Sequence, residues 1–224
     1  MVVMNRKNLR SLAAGVALLL AVGALAGCGG EKKADDSKKM VTVGIAQLVE
    51  HGALDAANKG FVAGMASKGF KENENVKYDR QNAQADQSNL QNIAQRFVSN
   101  KVDLICAIAT PTAQTMANAT KDIPIVATAV TDYEVAKLAA SNNEPKGNVT
   151  GTSDMNPIDQ QLELLLKIAP QTKNIGTVYS SSEVNSQLQV DVLKKLAGDK
   201  GINVIEATVS TVNDIQQAAH SLVG

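Results

Sequence analysis

Three polar residues, Gln47, His51 and Asp55, fall where the first apolar strand of the chain gives way to the first helical pattern. Val41 to Ala46 is predicted to be a buried strand, and apolar residues then recur at the spacing of a helix. In open α/β sheets ligands bind beyond the carboxyl ends of the strands, and the free N–H groups at a helix start favour an anion. We therefore expect these three side chains to be the first to meet a ligand.

Catalytic and metal chemistry find little support in the sequence. It contains no G-x-S-x-G nucleophile elbow, no G-x-x-x-x-G-K-[ST] phosphate loop and no G-x-G-x-x-G fingerprint. His51 and His220 are the only histidines, and no Cys/His group has metal-ligand spacing. The aromatic content is 3% without Trp, and no basic patch is visible. The sequence therefore indicates no catalytic residue, metal or cofactor, and no nucleic-acid partner.

The elements that would position a site alternate between strand and helix. Strands are predicted at 41–46, 76–79, 102–109 and 123–128, and helices after residue 52, at 86–99 and at 112–120. This alternation predicts an α/β fold with a mostly parallel, doubly wound sheet and right-handed crossovers. Cys106 lies in the apolar third strand and is expected to be a buried free thiol.

A stretch rich in Asn, Ser, Thr and Gly, 130–156, interrupts this rhythm, with Val149 in a short crossing strand. We place a boundary there, with a first lobe at 41–147 and a second at 148–224. Asn156 and Pro157 are predicted to be the N-cap and first residue of a helix. The rhythm then resumes with a strand at 174–179, a helix at 184–198, a strand at 202–208 and a helix at 211–222.

The second lobe has fewer strands than the four to six or so that sheets usually contain. We therefore expect the sequence to be a C-terminally truncated piece of a two-lobed protein.

Residues 1–28 have the pattern of a secretion signal. A basic segment with Arg6, Lys7 and Arg10 precedes an apolar run that is short for a membrane span. The run ends in Leu-Ala-Gly-Cys28, which resembles a bacterial lipobox. This resemblance implies cleavage before Cys28 and a diacylglyceryl thioether on it, with further acylation giving a firm anchor. An ordinary signal peptide or an uncleaved anchor is the alternative.

The residues after Cys28, 29–40, are polar and charged, and we expect a flexible tether. The whole chain has 22 basic and 22 acidic residues. Removing the three basic residues of the leader leaves 19 basic and 22 acidic, a net charge of −3 for the mature chain.

Five motifs in this order resemble one family: GIAQLVEHGALDAANKGF at 44–61, AIATPTAQ at 107–114, AVTDY at 129–133, NVTGTSD at 148–154 and YSSSEVNS at 179–186. It is the family of solute-binding lipoproteins of ABC importers that includes tryptophan- and tyrosine-binding members. The resemblance runs from about Val41 to Gly224. It departs at Gly52, where similar proteins usually have Pro, and this loosens the first helical turn next to His51.

The resemblance implies two doubly wound lobes of the periplasmic-binding-protein type I, with one small ligand in the cleft between them. The implied ligand is an aromatic or other apolar amino acid. Hinge closure on the ligand would precede docking on a membrane permease that a separate ATPase drives. The implied location is extracytoplasmic, anchored to the bacterial membrane by lipid on Cys28. A membrane-tethered ligand sensor or an enzyme on the same scaffold is the alternative.

Candidate ligand contacts in the first lobe begin with Gln47 and His51, although a lone His is often only a helix cap. Thr110, Thr112 and Ala113 open a helix at a strand end, where hydroxyls and N–H groups would suit a carboxylate. Plain helix capping explains the same residues equally well.

Thr131 and Asp132 follow a third strand, and Asp132 would pair with an α-ammonium group or form an Asx turn. Asp154, at the crossover between lobes, is the rival ammonium partner or a hinge residue. From the second lobe we expect closing contacts at the start of a helix, from Ser181, Ser182, Glu183, Asn185 and Ser186.

Overall fold

The computed structural model describes residues 40–145 and 147–223. The predicted leader, Cys28 and nearly all of the tether lie outside these residues. None of the helices in the described ranges has the length and apolar character needed to cross a bilayer.

The first sheet has five parallel strands in the order β2-β1-β3-β4-β5. Its strands are β1 (Val41–Gln47), β2 (Val76–Asn82), β3 (Leu104–Ile108), β4 (Ile125–Val130) and β5 (Val149–Ser153). Because β1 lies inside the sheet and the chain adds strands on both sides of it, this is the doubly wound arrangement that the alternation predicted.

Helices cover both faces of this sheet. They are α1 (Gly52–Ser67), α2 (Gln87–Ser99) and α3 (Thr110–Ala119). The α1 side chains pack on the face that carries Val43 and Ile45. Helices α2 and α3 share the opposite face, where Phe97 is fully buried. Gly44 makes this packing possible, because a Cβ there would lie 2.8 Å from the Phe97 ring.

The second sheet has two parallel strands, β6 (Asn174–Ser180) and β7 (Asn203–Val209). They are accompanied by α4 (Ile158–Ile168), α5 (Val184–Gly198), a 3₁₀ turn (Val212–Asp214) and α6 (Ile215–Val223). The buried core here consists of Leu162, Ile175, Ala197 and Ile202. The positions of these elements agree closely with the predicted pattern of the second lobe.

Three details differ from the sequence-based predictions. β2 continues to Asn82 instead of ending at Asp79, because its polar last residues still pair with β1 although they give no apolar pattern in the sequence. Asn156 does not cap α4, because the N-cap residue is Pro157. The side-chain amide of Asn156 instead donates to Gln189 Oε1 at 2.7 Å. β5 pairs with β4, so the first sheet extends to Ser153, beyond the lobe boundary predicted at 147.

Candidate functional site

A cleft of about 830 Å³ lies between the first and second sheets, at the carboxyl ends of their strands. This is the place where open parallel sheets bind ligands, and the volume is within the usual range for small-molecule sites. The first lobe contributes apolar residues and two glutamines to the cleft wall: Leu48, Gln84, Ala85, Gln87, Leu90 and Pro111.

Two strained residues form part of this wall. Gln84 and Ala85 have φ of 55° and 58°, in the left-handed region that non-glycine residues rarely adopt. Hydrogen bonds from their backbone N–H groups hold them there: Ala85 N–H donates to the Leu48 carbonyl at 2.8 Å, and Gln84 N–H donates to the side-chain Oδ1 of Asn82 at 2.8 Å. Backbone strain of this kind clusters at ligand sites, where the surrounding structure enforces it.

The start of α3 is a second strained feature of the first lobe. Ala109 precedes it with φ 88° and ψ 153°, and no side chain caps the helix. The hydroxyls of Thr110 and Thr112 are buried without a hydrogen-bond partner, on either side of Pro111, which lines the cleft. An uncapped helix start with two orphan hydroxyls is well suited to receive an anion.

The second lobe contributes the ends of β6 and β7 and the residues that follow them, at 178–180, 182–183, 209–212 and Ile215. Among the described residues that line the cleft, Glu183 alone carries a charge. It occupies the N-cap position of α5, and its side chain makes no capping hydrogen bond. Its Oε2 accepts from Asn185 Nδ2 at 3.2 Å and from Ser186 Oγ at 3.4 Å. Two neighbouring side chains therefore restrain Glu183, and its carboxylate can still accept a hydrogen bond from a further donor.

Tyr179 is the aromatic residue of the cleft wall. Its hydroxyl lies 2.7 Å from Glu206 Oε2 and 2.7 Å from Gln187 Oε1. Lys194 Nζ donates to the other carboxylate oxygen of Glu206 at 2.5 Å. The hydrogen bond from Lys194 lowers the pKa of Glu206, and the hydrogen bond to Glu206 raises the pKa of Tyr179. Tyr179 thus remains a neutral phenol with its hydroxyl directed to its own lobe.

Of the predicted site residues, Ser182 and Glu183 lie on the cleft wall, while Thr110 and Thr112 flank a cleft residue. Ala113 is buried, and its N–H donates to Ala109 O at 3.0 Å. Asn185 is half-buried, and its Oδ1 has no partner.

The predicted residues around β1 make contacts within their own lobe. Gln47 is buried; its Nε2 donates to Asp55 Oδ1 at 2.6 Å, and its Oε1 accepts from Asn58. His51 is exposed and caps α1, with Nδ1 accepting from Ala53 N–H at 3.3 Å. Neither side chain lines the cleft.

The predicted carboxylates at the exit of the first sheet also lie off the cleft wall. Asp132 accepts from Val135 N–H at 2.7 Å and from Asn142 Nδ2 at 2.8 Å, so it stabilises its own turn. Thr131 is buried, and its carbonyl accepts from Ser153 Oγ. Asp154 and, in the second lobe, Ser181 are exposed, whereas Ser186 is half-buried.

The prediction did not include the cleft residues that follow β2 and β7. Their position beyond the carboxyl ends of parallel strands is the sequence signal for Gln84, Ala85, Gln87 and 209–212. The polar residues at 80–82 obscure the end of β2 in the sequence, and no charged or aromatic residue marks 209–212.

Comparison with known proteins decides the family. Residues 42–224 match the family model described as ABC transporter substrate binding protein. This chain belongs to that family. The family consists of binding proteins and not of enzymes.

A relative within the ABC transporter substrate-binding family is similar over almost all of this chain. A tyrosine-binding protein of Clostridioides difficile (strain R20291) is 48% identical over 228 residues, covering 98% of this chain and 65% of that protein. This chain therefore spans about two thirds of the length of its curated relative.

Solved structures support the same fold, that of a type I periplasmic binding protein. A crystal structure of an ABC domain in complex with L-Trp from Streptococcus pneumoniae is 40% identical, with a TM-score of 0.79 over 82% of this chain and 62% of that one. The ligand-free, open structure of a substrate-binding protein with adhesive properties from Clostridium difficile is 50% identical. Its TM-score is 0.61 over 83% of this chain and 63% of that one.

Proposed function

We propose that this protein is the extracytoplasmic solute-binding lipoprotein of an ABC importer and captures an aromatic or other apolar amino acid in the cleft. The observation that carries the proposal is the composition of the cleft wall. One carboxylate, one uncapped helix start and a remainder of apolar and uncharged polar residues together match a zwitterion with an apolar side chain.

The α-carboxylate would bind at the start of α3. No Lys, Arg or His is among the described residues that line the cleft, so backbone N–H groups and hydroxyls have to stabilise the negative charge. The positive end of the helix dipole and the Thr110 and Thr112 hydroxyls supply both a favourable potential and unused hydrogen-bond donors.

The α-ammonium group would bind Glu183. The rival carboxylate of Asp132 has both oxygens engaged by its own turn, and Asp154 does not line the cleft. The unpartnered Oδ1 of Asn185 offers a second acceptor beside Glu183. The orientation of this amide follows from its Nδ2 donating to Glu183, because the flipped amide would set oxygen against carboxylate.

The ligand side chain would lie among Leu48, Leu90 and Pro111 of the first lobe and the apolar residues after β7. Burying such a side chain releases water from both walls and favours the closed arrangement, because only that arrangement brings both walls to the ligand. The TM-score is higher with the L-Trp complex, 0.79, than with the open, ligand-free structure, 0.61, although the ligand-free structure has the higher sequence identity, 50% against 40%. The better structural match to the ligand-bound protein supports the closed arrangement.

Delivery to a membrane permease with its ATPase, and anchoring through lipid on Cys28, complete the proposal. They rest on family membership and on the lipobox pattern.

Calorimetric titration of the full-length protein with the individual amino acids, and with a sugar and a nucleoside, tests the proposal. We expect micromolar or tighter binding, about −8 kcal/mol or better, to at least one apolar amino acid. Binding only to the sugar or the nucleoside, or to none of the compounds by a folded protein, would contradict it.

A further inference from the structure

We propose that Tyr179 makes the cleft selective for aromatic over aliphatic side chains, and that Glu206 is the positioning residue that holds its ring against the ligand. This inference rests on the proposed function, since it assigns the selectivity of the same cleft.

Tyr179 is the first reason for this assignment. The chain has only three Tyr, three Phe and no Trp, and Tyr179 alone among them lines the described part of the cleft. It stands at the carboxyl end of β6, next to Ser180, where the second lobe meets the ligand space. Aromatic rings in offset or edge-to-face contact add to the free energy of burial beyond what an aliphatic neighbour gives.

The hydroxyl contacts of Tyr179 are the second reason. Because its one proton is directed to Glu206 or Gln187, both 2.7 Å away, the phenol cannot serve as a free donor to the ligand. What the residue offers the cleft is its ring. The hydrogen bond to Glu206 restrains the ring, and Glu206 is itself restrained because its other carboxylate oxygen accepts a hydrogen bond from Lys194.

The opposite wall completes the geometry. Leu48, Leu90 and Pro111 provide an aliphatic surface facing the same cleft. A flat ligand ring would therefore lie between one aromatic and one aliphatic wall. An aliphatic ligand side chain would gain only burial there, because it has no ring to pair with Tyr179.

The first test measures the ratio of the dissociation constants for L-leucine and L-tryptophan in the full-length protein. Tyr179→Leu should lower this preference for tryptophan about 3- to 10-fold, whereas Tyr179→Phe should retain most of it. Glu206→Ala should lower the preference in the same direction by a smaller factor, and Glu206→Gln, which keeps an acceptor, should restore it. Phe70→Leu is the matched control, an aromatic-to-leucine change at a 38% exposed position away from the cleft lining.

A second readout does not depend on Tyr179→Leu folding. Since the chain has no Trp, bound tryptophan is the only indole emitter. Excitation of the tyrosines should transfer energy to it, and Tyr179→Phe should lower that transfer while tryptophan stays bound, because it removes one of the three tyrosine donors.

The outcomes separate this inference from the proposed function. A wild-type protein that binds no amino acid overturns both. A wild-type protein that prefers tryptophan, with the same preference in Tyr179→Leu or unchanged energy transfer in Tyr179→Phe, overturns the role of Tyr179 alone. Loss of preference in Glu206→Ala without recovery in Glu206→Gln overturns the positioning role of Glu206.

Discussion

The hydroxyl oxygen of Tyr133 lies so close to the backbone of Gly151 that a Cβ at residue 151 would be 2.2 Å from it. The same Cβ would be 1.9 Å from Ala127 O. The hydroxyl shares its proton between Ala127 O at 3.0 Å and Thr152 O at 3.2 Å. It thereby ties β4 to β5 where their register shifts, just before the chain leaves the first sheet.

This packing predicts a stability change at Gly151. Gly151→Ala should lower the free energy of unfolding by about 2–3 kcal/mol, because backbone must move to accept the methyl group. Tyr133→Phe should cost about 1–2 kcal/mol through its lost hydrogen bonds. Denaturant midpoints measure both. Gly64→Ala is the control: the helical Gly64 has no atom within 4 Å of its Cβ position, and alanine there should be neutral or stabilising. Equal stability of Gly151→Ala and wild type would contradict the packing.

Cys106 predicts a loss of stability in alkali. Burial raises the pKa of its thiol from 9.0 to about 12. The folded state therefore keeps the proton while the unfolded thiol loses it, so the stabilisation is complete below pH 9 and is lost as the pH rises towards 12. The contribution should fall by about 1.4 kcal/mol per pH unit in this window. Burial also raises the pKa of Tyr133, from 10.0 to about 12, so the phenol adds to the loss above pH 10.

Urea unfolding of wild type and Cys106→Ala, below and above pH 9, isolates the thiol. The stability advantage of wild type over the variant should shrink as the pH rises. An advantage that stays constant across the window would show that the thiol does not titrate differently in the two states.

Glu183→Gln should weaken amino-acid binding about 10- to 100-fold, because a hydrogen bond to a charged group contributes about 1.5–3 kcal/mol. Tryptophan without its ammonium group, indole-3-propionate, should bind wild type and variant alike. Glu163→Gln, on the exposed surface of α4, should leave the affinity unchanged. Titration calorimetry of all three proteins measures this. An equal loss for both ligands would indicate general damage to the cleft and remove the ammonium role.

Thr110→Val and Thr112→Val should separate stability from binding. Each removes a buried hydroxyl without a partner, so the unliganded protein should be unchanged or more stable by up to about 1 kcal/mol. Amino-acid affinity should nevertheless fall severalfold. Thr115→Val is the contrast, since this hydroxyl donates to Pro111 O and accepts from Gln87; its loss should destabilise. Thermal unfolding with and without ligand measures both effects, and unchanged affinity in both valine variants would exclude the two hydroxyls as carboxylate ligands.

Much of the fold could be predicted from the sequence because local patterns specify it. The helix predicted at 184–198 is observed as Val184–Gly198, since its apolar residues recur at helical spacing and face a sheet. The end of β2 is harder to predict. Its outer residues Arg80 and Asn82 are exposed at an edge, so they carry no apolar alternation.

The candidate site was less predictable, because it depends on contacts between distant segments. Gln47 is a polar residue at a strand end, but its amide is engaged by Asp55 and Asn58 on the following helix. Leu48 and Tyr179 have ordinary core-like identities, and only the meeting of the two lobes makes them neighbours of one cleft.

A crystal structure of the full-length protein with its tightest-binding amino acid tests the central claim most directly. The account predicts the ligand in the cleft between Pro111 and Tyr179, with its ammonium nitrogen within hydrogen-bond distance of Glu183 and its carboxylate at the start of α3. An amino acid bound elsewhere, for example beside His51, or an empty cleft in a protein that binds the ligand in solution, would contradict it.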